Sequence, residues 1–257
     1  MSMTTSFTKS VGAAGFALLA LAAPASAGGF GLKDDAAREF SWSVNAALTS
    51  DYIFRGVSQT DNDPAASAGL DVSYGILYAG FWASQVDELI SADNFEIDYY
   101  AGIKPVLGPA TFDFGVLYYT YPGSEVAVGD PETLEFKAAV SGEILPKLSA
   151  TAALYYSPEL AGDLGEYFVY EGTLAYALPK IFVFDPTISG TLGAYDYDDD
   201  TLNTDYTYWN VGVTFGWDKF AFDFRYWDTD EDLTIVGSDT IVSDERFVFT
   251  AKLTYGP

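Results

Sequence analysis

Histidine and cysteine are both absent from the 257 residues. Without cysteine there can be no disulfide and no thiolate metal site. Without histidine the usual general base and the commonest metal ligand are gone, along with zinc motifs and His-dependent triads. Basic residues are scarce, 12 Lys and Arg against 37 Asp and Glu, for a formal net charge of −25. Such a chain lacks the basic face that phosphate binding needs, so no nucleic-acid partner is expected. After residue 27 the chain also lacks the roughly 20 unbroken apolar residues of a spanning helix. A hydrolase or acyltransferase would have to rest on carboxylates with Ser or Tyr, and no such constellation stands out. An enzyme is not expected.

What is present begins with a leader. Lys9 supplies a positive start, 11–23 is an apolar run, and Ala25-Ser26-Ala27 fits a small-residue cleavage site. Residues 1–27 therefore read as a cleaved signal peptide. Residues 28–39 form an arm, Gly-rich and then charged, without a clear pattern; 40–257 suit one large β-domain.

From residue 40 the chain alternates apolar and polar side chains in stretches of about ten, the period of a half-buried strand. About twelve such stretches are legible, at 40–55, 66–74, 77–84, 95–104, 110–120, 132–143, 148–157, 166–177, 185–197, 205–216, 220–228 and 246–256. In the last, Phe247, Phe249, Ala251, Leu253 and Tyr255 share one face and Arg246, Val248, Thr250, Lys252 and Thr254 the other. The joints alternate between short (75–76, 105–109, 144–147, 179–184, 217–219) and long (56–65, 85–94, 121–131, 158–165, 198–204, 229–245). From Gly56 onward the long joints hold no Lys or Arg, whereas Lys147, Lys180 and Lys219 sit in short ones. Short-then-long connections behind a leader read as a transmembrane antiparallel up-and-down β-barrel, with short periplasmic turns and long acidic extracellular loops. This places the protein in the outer membrane of a Gram-negative bacterium, among lipid and lipopolysaccharide.

The segment Ser50-Asp51-Tyr52-Ile53-Phe54-Arg55-Gly56-Val57-Ser58-Gln59-Thr60-Asp61-Asn62-Asp63-Pro64 resembles the N-terminal signature of the TorF family of porin-like proteins, also catalogued as Gcw_chp. Gly80-Phe81-Trp82-Ala83-Ser84, Glu96-Ile97-Asp98-Tyr99-Tyr100, Tyr119-Thr120-Tyr121-Pro122-Gly123 and Tyr226-Trp227-Asp228-Thr229-Asp230 resemble it in order. The resemblance implies a proteobacterial outer-membrane barrel and leaves its solutes undefined. The non-aromatic end, Tyr255-Gly256-Pro257, departs from many such barrels.

Function then lies in the inward face. The residues expected to line a pore are Asp51, Arg55, Asp71, Glu96, Asp98, Lys104, Asp113, Glu135, Lys137, Glu171, Asp223, Arg225 and Arg246. Asp51 and Arg55, four apart in one strand, are expected to form an ion pair anchoring the first long loop, in preference to a selective constriction. An acid-biased, water-filled lumen would favour cations and pass small hydrophilic solutes. The competing arrangement is a non-conducting barrel that displays its acidic loops, its lumen closed by salt bridges and by inward Tyr100, Tyr119, Tyr155 and Trp227. Twelve strands lie between filled eight-stranded and open sixteen-stranded barrels, and a narrow pore is the expectation. Asp196 to Asp200 and Asp228 to Asp232 resemble fragments of calcium loops but lack the glycine and distal glutamate of an EF-hand. Plain solvated acid is favoured there over a loosely bound divalent cation bridging to lipopolysaccharide, and no cofactor is expected.

Overall fold

The structure, a computed structural model, describes residues 39–88, 94–123, 132–158, 165–198, 204–234 and 240–257. The leader and most of the arm lie outside the described residues, as do Asp93, Glu125, Asp130, Glu159, Asp163, Asp199 and Asp200 of the acidic joints.

Twelve strands follow one another around a ring: β1 (Phe40–Thr49), β2 (Ala65–Tyr74), β3 (Leu77–Gln85), β4 (Phe95–Ile103), β5 (Ala110–Thr120), β6 (Thr133–Leu145), β7 (Leu148–Ser157), β8 (Tyr167–Ala177), β9 (Asp185–Tyr197), β10 (Tyr206–Trp217), β11 (Phe220–Thr229) and β12 (Arg246–Tyr255). A two-residue piece, Val106–Leu107, folds back on β5. Every neighbouring pair is antiparallel, and β12 returns to β1 with Val44 opposite Tyr255 and Thr49 opposite Thr250. The sheet closes on itself, so no strand edge is left to satisfy in lipid.

Alternation decides which wall each side chain joins. On β6, Phe136 and Val140 face outward and are exposed, while Glu135, just before Phe136, faces inward and is fully buried. On β12, Phe247, Phe249 and Leu253 face outward and Val248 is buried inside. Phe224 on β11 packs its ring 4.9 Å from Phe249 on that outer wall. An outer surface so rich in exposed Phe, Leu, Ile and Tyr has no stable place in water and suits hydrocarbon. The anticipated strands match to within two residues, with one exception.

That exception is the first. β1 stops at Thr49 instead of running to residue 55. The Thr49 hydroxyl donates to the Asp51 carbonyl at 2.7 Å, and the chain turns inward. Ile53–Phe54 then pairs with Val57–Ser58 in a small hairpin of its own. Its two turn residues, Arg55 (φ +45°) and Gly56 (φ +88°), are both left-handed, the geometry of a tight two-residue hairpin. A β-carbon on Gly56 would come within 2.5 Å of Thr229 and 2.8 Å of Tyr208. Residues 51–60 are all buried, so the pattern there belongs to a segment packed on every side and not to a wall strand.

Candidate functional site

The inserted hairpin carries Arg55 at its tip into the lumen, where it meets Glu135 of β6. Arg55 Nη1 donates to Glu135 Oε1 at 2.7 Å and Nη2 to Oε2 at 3.1 Å, a bidentate pair. Nη1 also donates to the Tyr195 hydroxyl at 2.7 Å. Tyr119 and Tyr167 donate their hydroxyls to the same carboxylate at 2.8 and 2.9 Å. The ring centroids of Phe54 and Tyr155 lie 4.5 and 4.4 Å from the guanidinium, each a cation–π contact. Both charges are almost wholly removed from water. A desolvated pair is tolerable when its remaining hydrogen-bonding capacity is largely met; the tyrosines do this for the carboxylate and for Nη1, and Arg55 Nε is left without a partner among the described residues.

An aromatic wall backs this pair. Tyr195 stacks against Tyr197 and Tyr206, each at 5.1 Å, and Tyr167 lies 5.2 Å from Tyr195. Tyr208 lies flat over Gly193, where any β-carbon would collide with its ring, and donates to Glu171. Two residues between β11 and β12 join the same cluster: Leu233 and Val242 are fully buried, and Ser58 N donates to the Val242 carbonyl at 2.8 Å. Hairpin, tyrosines, Leu233 and Val242 pack together in the long-loop half of the lumen.

Asp51 sits at the root of the hairpin. It accepts from the hydroxyls of Ser58 (2.6 Å) and Thr60 (3.0 Å) and from Arg246 (3.0 Å). Burial pushes its carboxyl above the usual carboxylate range, although those donors pull the other way. Outside it, Asp51, Asn62, Asp244, Glu245 and Arg246 line a rim hollow of about 400 Å³. Tyr52 points the other way, donating to Glu96 at 3.4 Å. Burial first, then the charges of Glu96 and Asp98, push its phenol well up, so it stays protonated.

The short-turn half is different. There the inward side chains are mostly half-buried and polar. Asp71 accepts from Tyr100 (2.6 Å) and Ser43 (3.3 Å). Asp113 pairs with Lys137 at 2.9 Å and Lys104 at 3.7 Å and accepts from Tyr78. Arg225 bridges Asp223, Asn210 (2.6 Å) and Ser189 (3.0 Å).

The anticipated lumen residues thus turn inward, but three expectations need correction. Asp51 and Arg55 do not pair with each other: the strand they were to share ends before them, and their partners are Arg246 and Glu135. Lys104 lies just beyond the end of β4, 42 % exposed, its ammonium 4.4 Å from the Tyr78 ring at the short-turn end. And Asp51, Arg55, Glu96, Asp98 and Glu135 are packed away from water instead of lining an open passage. Tyr167, Tyr195, Tyr197, Tyr206 and Tyr208 were not anticipated. Their signal was there, as Tyr167 opening β8 and tyrosines at alternate positions in β9 (Tyr195, Tyr197) and β10 (Tyr206, Tyr208), on the face opposite the lipid-facing residues. Among the described residues no group of three or more acidic side chains is arranged to hold a metal ion.

Residues 33–255 match the sequence profile of the family described as "bacterial protein of unknown function (Gcw_chp)". The chain belongs to the Gcw_chp family. Its barrel is similar to solved outer-membrane porins. For the KdgM porin the TM-score is 0.54 at 9 % identity, over 83 % of this chain and 98 % of that one. For the NanC porin it is 0.52 at 12 % identity, again over 83 % and 98 %. A KdgM porin in complex with disordered oligogalacturonate aligns equally well, at 0.54 and 8 % identity. At these identities the likeness is one of fold: this Gcw_chp protein has a porin-like barrel. No curated protein matches it in sequence.

Proposed function

We propose that this Gcw_chp protein is an outer-membrane channel for small hydrophilic solutes, leaning toward cations, whose first loop stands in the passage and sets its conductance. The carrying observation is the two-sided wall. Outside is a continuous apolar belt, and inside the short-turn half the half-exposed Asp71, Lys137 and Asp223 carry charge, with Lys137 and Asp223 tied to the buried Asp113 and Arg225. A barrel meant only as a scaffold has no need to keep charge there. Acid outnumbers base along the inward set, which attracts cations. The leader delivers the chain to the outer membrane of a Gram-negative cell, where the apolar belt contacts lipid and the acidic loops face lipopolysaccharide.

A second reading rests on the Arg55 cluster: a barrel so filled on its long-loop side is a non-conducting recognition or structural element. Planar-bilayer recordings separate the two. The channel reading expects small cation-selective steps from the intact chain and larger ones when residues 53–58 are replaced by a short Gly-Ser link. Silence from both proteins sinks it.

A further inference from the structure

Not every buried charge in the lumen is answered as Glu135 is. Glu96 and Asp98 stand two apart on β4, hence on one inward face, and both are fully buried. Among the described residues, neither oxygen of Asp98 receives an N–H or O–H donor. Its close polar neighbour is the carboxyl of Glu96, which takes the hydroxyl of Tyr52 at 3.4 Å. The charges acting on Asp98 are those of Glu96 and Glu135, both negative, with no lysine or arginine among them. Glu135 already holds Arg55, the cation delivered by the inserted hairpin.

Two touching carboxyls in a water-poor interior need positive charge between them. We propose that Glu96 and Asp98 form an intralumenal site for a hard divalent cation, Ca²⁺, which ties the first loop to the barrel wall through Tyr52. The donor set selects the class of ion. The neighbourhood offers oxygens: the phenol of Tyr52, 3.4 Å from Glu96, that of Tyr121, on which both carboxyl charges act, and the hydroxyl of Ser84, which stands opposite Glu96 on β3 and donates to the Gln85 carbonyl at 3.0 Å. A chain without His or Cys offers no imidazole or thiolate to a transition metal. Two carboxylates balance one divalent charge. Ca²⁺ accepts irregular oxygen shells of six to eight ligands, whereas Mg²⁺ demands a tight octahedron and keeps its water, which suits this crowded place less. The site does not depend on whether the barrel conducts.

The test uses the folded chain in detergent, freed of divalent ions with chelator. Thermal unfolding is followed by the gel shift between folded and unfolded bands, without addition and with Ca²⁺ or Mg²⁺. Ca²⁺ should raise the midpoint by several degrees, and more than Mg²⁺ does. Asp98→Asn, which keeps the shape and supplies Glu96 with a donor, should abolish the Ca²⁺ effect, and Glu96→Gln should weaken apparent Ca²⁺ affinity at least tenfold. A paired Asp244→Asn, Glu245→Gln variant at the outer rim should retain the full effect. A wild-type midpoint indifferent to Ca²⁺ overturns the proposal and leaves a shared proton as the link between the carboxyls. A Ca²⁺ effect that survives in Asp98→Asn, or vanishes in the rim variant, also overturns it, because the ion then sits on the loops. If Asp98→Asn does not fold, Glu96→Gln alone decides between the same outcomes.

Discussion

Arg55 and Glu135, 80 positions apart, grip each other through two hydrogen bonds of 2.7 and 3.1 Å inside the barrel. One comes from a loop and the other from the wall, so this pair joins plug to barrel, alongside Asp51 with Arg246 and Tyr52 with Glu96. Its strength follows from its isolation. Removing one partner strands the other charge away from water, whereas replacing both with apolar groups of similar volume does not.

Arg55→Ala should therefore destabilise the folded barrel by about 3–5 kcal/mol, the typical cost of breaking a buried pair. The double variant Arg55→Met, Glu135→Leu should recover part of that loss. Urea titration of the folded band in detergent measures both. Equal stability of the single and double variants would show that desolvation is not what governs the pair.

Gly56→Ala tests the turn that presents Arg55. Its φ of +88° and the 2.5 Å approach to Thr229 leave no room for a methyl group. A loss exceeding roughly 1 kcal/mol is expected, from left-handed strain plus the clash. Gly75→Ala is the control: it shares a positive φ, yet its β-carbon would meet nothing within 4 Å. It should cost distinctly less by the same titration.

Asp51 makes stability depend on pH in a stated direction. Burial raises its carboxyl in the folded chain, so the folded state binds a proton more readily than the unfolded one. The resulting stability is fully present below the ordinary carboxylate range and fades as pH climbs through the raised folded value. Asp51→Asn should remove that part of the slope. The comparison needs midpoints of both proteins over mildly acidic to neutral pH; parallel curves would refute the assignment.

The lipid-facing wall predicts an asymmetry between the neighbours Phe224 and Asp223. Phe224→Arg puts a charge on the outer belt and should cost about 2–4 kcal/mol if the position lies near the bilayer midplane. Asp223→Asn, facing inward, should leave the barrel stably inserted and weaken its hold on Arg225. Folding yield into lipid vesicles reads the first effect, and a change in ion selectivity reads the second.

Which side of each strand meets lipid was legible in the amino-acid order, because a strand turns its side chains over at every residue and so writes its two environments in alternation. Phe136 beside Glu135, or Phe224 beside Asp223 and Arg225, already separates the outer belt from the lumen. Connection lengths supply the up-and-down order, and residues 50–64 and the later motifs point to the family.

The inward course of the first loop was not legible in that way. Alternation cannot distinguish a wall strand from a segment buried on all sides, so 50–55 read as a continuation of β1. Nor can it choose among inward charges: Asp51 and Arg55 look paired at four residues apart, yet each finds its partner 195 and 80 positions away. Those choices depend on the bore of the ring and on a loop re-entering it, and both exist only once twelve strands have closed.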